Sequence, residues 1–111
     1  LRSVRFVGKG NGLELHSGEL AKVVVEVYNN TPEYMYNVKP MVMETSGNKH
    51  VFVSAPIIVE KIAPGKGIRY TAMVKADKKL KDGKVHFTVC AQESAQLRKS
   101  EIREFDVTTI R

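Results

Sequence analysis

The fold turns on "LAKVVVEVYNN", Leu20 to Asn30. Ala21, Val23, Val25 and Val27 share one parity, and Lys22, Glu26 and Tyr28 share the other. A period of two is that of an extended strand with one buried face, and β-branched side chains suit its pleated surface. Asn29, Asn30, Thr31 and Pro32 then end the run with turn chemistry.

The same alternation recurs on both sides of this strand. "SVRFV" (residues 3–7) precedes a glycine-rich stretch, "GKGNGLELHSGEL". "YMYNVKPMVMET" puts Tyr36, Val38, Pro40 and Val42 on one face; Pro40 has no N–H for a ladder, which marks an edge or a bulge. "SGNKH" reads as a turn, "HVFVSA" and "PIIVEKI" as short strands, and Pro64-Gly65 as the next turn. "IRYTAMVKA" turns Ile68, Tyr70, Ala72, Val74 and Ala76 to one side. "DKKLKDG" is a polar connection with room for one helical turn. "KVHFTVCAQ" points Val85, Phe87, Val89 and Ala91 inward and Lys84, His86, Thr88 and Cys90 outward. "ESAQLRKS" reads as a loop, and "EIREFDVTTI" closes the chain with Phe105 and Val107 as core residues. Seven to eight short strands with a turn signal roughly every 8–12 residues predict an all-β, immunoglobulin-like antiparallel β-sandwich. A closed barrel is the alternative.

Composition agrees with one globular unit. The chain has 111 residues, 42% hydrophobic and 27% charged, enough for a single domain over 1–111 with its own core. It begins at Leu1 and ends directly after an alternating run, so it reads as a domain excised from a longer protein. No apolar run approaches the roughly 20 residues of a membrane helix. Cys90 is the one cysteine, which excludes an intrachain disulfide. A net charge of +6 favours weak attraction to acidic surfaces but brings no aromatic interleaving of the kind that marks specific nucleic-acid binding.

The chemical motifs fail one by one. Gly8, Gly10 and Gly12 match neither a phosphate loop nor a dinucleotide fingerprint: the third glycine of the latter falls on Leu13, and no helix follows. Calcium would need several oxygen ligands; Asn11, Glu14, Ser17 and Glu19 supply some, but Lys9 sits where a carboxylate is wanted. The glycines read instead as positive-φ turns, with Ser17-Gly18 the tight entry to the next strand. Cys90 and His86 share a face about 13 Å apart, beyond a catalytic hydrogen bond. The histidines show no metal-ligand spacing. The reading is therefore no catalytic residue, no metal and no cofactor. Lys75, Lys78, Lys79, Lys81 and Lys84 read as a solvated connection. Tyr28, Tyr34 and Met35, around "NNTPEYMY", are the candidate partner-binding residues, with Tyr34 exposed and Tyr36 packed inward by strand parity; a cap on the core is the other reading of these aromatics.

The order of the pieces resembles a group of bacterial immunoglobulin-like modules appended to larger, often extracytoplasmic proteins, caspase-like peptidases among them. The matching features are "VRFVGKGNGLELHSGELAKVVVEVYNN", the pair Asn37-Val38, Pro64-Gly65, Leu80-Lys81-Asp82-Gly83 and the closing "DVTTI". The loop aspartates common in such modules are absent, and Pro32-Glu33-Tyr34 replace the usual glycine of the first hairpin turn. The resemblance implies a non-catalytic interaction or spacer module within a multidomain, extracytoplasmic bacterial protein. Its partners would be adjoining domains or another protein, without specific nucleic acid or a membrane span. A carbohydrate-binding module using the tyrosines is the alternative.

Overall fold

The computed structural model describes residues 1–10, 12–93 and 98–111. Asn11 and half of the "ESAQLRKS" stretch, residues 94–97, lie outside the described residues. Among those described, ten strand segments form two sheets and no helix is present. They are β1 (Ser3–Val7), β2 (Glu14–His16), β3 (Leu20–Tyr28), β4 (Met35–Glu44), β5 (Val51–Val53), β6 (Val59–Ile62), β7 (Gly67–Ala76), β8 (Gly83–Glu93), β9 (Arg98–Lys99) and β10 (Arg103–Ile110). The strands beyond the seven or eight expected are very short, too brief for alternation to reveal: β2 has three residues and β9 two. "DKKLKDG" holds only a turn.

One sheet has the order β1-β3-β7-β5; the other runs β2-β10-β8-β4-β6, with β9 continuing along β8. This is the arrangement of an immunoglobulin-like sandwich. One feature departs from the all-antiparallel expectation: β2 runs parallel to β10, with Leu15 opposite Thr109. The chain leaves β1 in one sheet, passes through the glycine-rich stretch and lays three residues along the terminal strand of the other.

Strand parity places the core as the alternation predicts. Val23, Val25 and Val27 of β3 and Ala72 and Val74 of β7 face Val85, Phe87 and Val89 of β8 and Val107 of β10, all buried. Aromatic rings tie the sheets together. Phe87 stacks on Phe105 with centroids 5.4 Å apart, and Phe6 of β1 reaches both at 6.4 Å. Leu80, from the polar connection, and Leu15, from β2, close one end of the core and were not legible as core residues.

Pro40 sits where the ladder does not need it. Its opposite residue, Ala91, turns its N–H and C=O to Ser100, at 2.7 and 2.8 Å. The Pro40 nitrogen therefore points away from β8, past the last β4–β6 pair at Val38 and Val59. Two parity readings need correction. Cys90 lies on the outward parity but is only 1% exposed; it sits in a central strand, opposite Met41 of β4. Tyr36 points outward, because Asn37 adopts φ 54°, in the left-handed region. That one residue reverses the alternation, so Met35 and Val38 both face the core while Tyr36 is 46% exposed.

Candidate functional site

The glycine-rich stretch is a loop wrapped round a carboxylate. Glu19 turns inward and is nearly buried. The backbone N–H of His16 donates to its Oε1 at 2.8 Å, and the N–H of Lys9 donates to its Oε2. The His16 ring lies 3.3 Å from Oε1. Burial pushes the Glu19 carboxyl up; the His16 and Lys9 N–H groups and the His16 ring outweigh it and hold it below the ordinary glutamate value. Gly8 is needed for close approach rather than for a left-handed turn. A Cβ there would lie 3.0 Å from the Glu14 carbonyl, Glu19 Oε2 and the Phe6 ring. The positive-φ glycines are Gly18, Gly47 and Gly65, not Gly8 or Gly10 as the sequence suggested. Among the described residues, no three His, Cys, Asp or Glu side chains are placed to hold a metal.

All three histidines are engaged by carboxylates. His16 meets Glu19, and His50 Nδ1 lies 2.9 Å from Asp77. His86 sits between two: Nδ1 is 2.7 Å from Asp106 and Nε2 is 3.0 Å from Glu104. Two carboxylate partners require a proton on each ring nitrogen, so Asp106 first, then Glu104, raises the His86 pKa above the ordinary histidine value. A histidine raised on folding stabilises fully below its unfolded pKa, and this contribution is lost as pH rises through the folded pKa. In an NMR titration, the His86 ring should titrate above the ordinary histidine value, and Asp106→Asn should bring it down. A wild-type titration at or below that value would contradict the bridged arrangement.

The tyrosine end is built on Asn29. Its side chain is fully buried and fully used. Nδ2 donates to the carbonyls of Glu33 and Ile62 at 2.8 and 2.9 Å. Oδ1 accepts from Thr31 N–H at 3.0 Å and from the Thr31 hydroxyl at 2.7 Å. Its backbone is bonded to Lys66 and Gly65, in the turn that follows β6. One asparagine thus joins the 29–34 turn, the end of β6 and the Pro64-Gly65 turn.

On this platform Tyr34 is 46% exposed and stacks on Tyr36, with centroids 6.1 Å apart and planes at 22°. Lys61, opposite Tyr36 in the β4–β6 ladder, brings its ammonium 5.8 Å from the Tyr34 ring. Of the residues singled out in the sequence, Tyr34 is therefore on the surface with Tyr36, a neighbour that parity had turned inward. Met35 packs partly buried against the core. Tyr28 shares the end of the molecule but not the face: it projects from the four-stranded sheet, where Arg2 lies 5.2 Å over its ring. The one signal for the Tyr36 reversal was Asn37, since asparagine tolerates the left-handed conformation better than most residues.

No family model and no curated protein matches the chain. Among solved structures it is similar to a FixG-related protein from Vibrio parahaemolyticus, with a TM-score of 0.60 and 12% identity over 96% of this chain and 94% of that one. The MSP-domain-like protein SSP-19 of Caenorhabditis elegans gives a TM-score of 0.49 and 7% identity, covering 86% of this chain and 92% of that one. At 12% identity the likeness to the Vibrio parahaemolyticus protein is one of fold: the chain is a small β-sandwich.

Proposed function

We propose that this chain is a non-catalytic interaction module whose contact surface centres on Tyr34 and Tyr36, with Lys61 at its edge and Tyr28 extending it round the tip. The observation that carries the reading is the stacked tyrosine pair, left half in solvent on a turn held rigid by Asn29. Large apolar faces with polar tips, immobilised before binding, are the composition of interface hot spots. The module resemblance extends the reading to a multidomain, extracytoplasmic bacterial protein in which an adjoining domain or a second protein covers this surface.

Amide hydrogen exchange, measured on the chain alone and with its flanking domains supplied in trans, tests the surface. Added protection should concentrate at 33–37 and 60–62. Protection confined to the opposite end of the sandwich would overturn the reading.

A further inference from the structure

The outer face of the four-stranded sheet, at the end away from Tyr34, carries a second surface. Two cross-strand rows define it. Leu20 lies opposite Lys75, which lies opposite Phe52; Val7 lies opposite Lys22, which lies opposite Met73. Leu20 is 59% and Phe52 54% exposed, although both are apolar, and Lys22 and Lys75 stand between the apolar side chains in solvent. Neither row contains a carboxylate. Further along the sheet, Glu26 already has a partner in Arg69 at 3.7 Å.

A recess of about 540 Å³ opens beside these rows, under the glycine-rich loop, with Lys9, Lys22, Val7 and Leu20 in its lining. Its one carboxylate, Glu19, faces inward and is bonded to the loop. The recess and the rows together present cations around an aliphatic centre.

We propose that this face docks a protein segment in which carboxylates flank aliphatic side chains. The carboxylates would meet Lys9, Lys22 and Lys75; the aliphatic groups would cover Val7, Leu20 and Phe52. Charge complementarity selects this occupant. A two-fold pairing of this chain through the same patch would set lysine against lysine. A nucleic-acid backbone offers no apolar counterpart to Leu20 and Val7. The body is 47 Å long, so this end and the tyrosine end can engage separate partners.

The test is ¹⁵N–¹H NMR of the intact chain titrated with a synthetic peptide of alternating Glu and Leu. Its Lys-for-Glu counterpart, vesicles of phosphatidylcholine with phosphatidylserine, and duplex DNA are titrated in parallel. The acidic peptide should shift the amides of Leu20, Lys22, Phe52 and Lys75, and its affinity should fall as salt rises. Lys22→Glu with Lys75→Glu should weaken it by roughly tenfold or more. Leu20→Ser, which keeps every charge, should weaken it too, and the dispersion of each spectrum reports that the variant is folded. Shifts elsewhere, affinity indifferent to both variants, or equal or tighter binding to the vesicles, DNA or basic peptide would each overturn the proposal.

Discussion

Phe87→Ala should destabilise the domain by roughly 3–5 kcal/mol, a large part of the roughly 5–15 kcal/mol that a domain of this size has. Phe87 has no exposed surface, stacks on Phe105 at 5.4 Å and reaches across to Phe6 of the opposite sheet. Truncation removes the ring's burial and leaves a cavity that two rigid sheets close only in part. Lys84→Ala, on the outward parity of the same strand, should cost less than about 0.5 kcal/mol. Chemical denaturation of both variants checks the pair. Equal costs would mean that β8 presents the other face to the core.

Asn29→Asp should cost a comparable amount, roughly 3–5 kcal/mol, by a different route. The substitution keeps the shape and removes the two donors that serve the carbonyls of Glu33 and Ile62. It sets a buried carboxylate against those carbonyl oxygens. Burial and the facing oxygens would raise the introduced carboxyl's pKa, so part of the loss should return on acidification, once a proton supplies one of the missing donors. Denaturation of the variant across the acid range measures this. A variant as stable as the parent at neutral pH would show that the Asn29 side chain does not join the 29–34 turn to the end of β6.

Short-range pattern made most of the fold legible. Alternation in 20–30 and 84–92 correctly places Val23, Val25, Phe87 and Val89 inside, because parity depends only on neighbours along the chain. Features decided by distant contacts were hidden. Leu15 is buried only because β2 lies along β10, and the outward-parity Cys90 is covered in a central strand of the assembled sheet. Tyr36 was misread for a local reason, one left-handed residue at Asn37, which hydrophobic periodicity does not register. The glycine-rich stretch lacks the spacing of a phosphate loop. Its organiser, the Glu19 side chain, reads in the sequence only as one of several oxygen ligands for calcium.

The candidate surface divides into a support, Asn29, and a contact, Tyr34 with Tyr36. The most direct test is the double substitution Tyr34→Ala and Tyr36→Ala, with association to the adjoining domain or partner protein that the proposed function calls for, and unfolding free energy, measured on one preparation. The half-exposed rings support no core residue by themselves, so stability should fall by no more than about 1 kcal/mol. Loss of two aromatic anchors should weaken association by roughly tenfold or more. Unchanged association, or a variant that unfolds, would contradict the assignment of this pair as the contact surface.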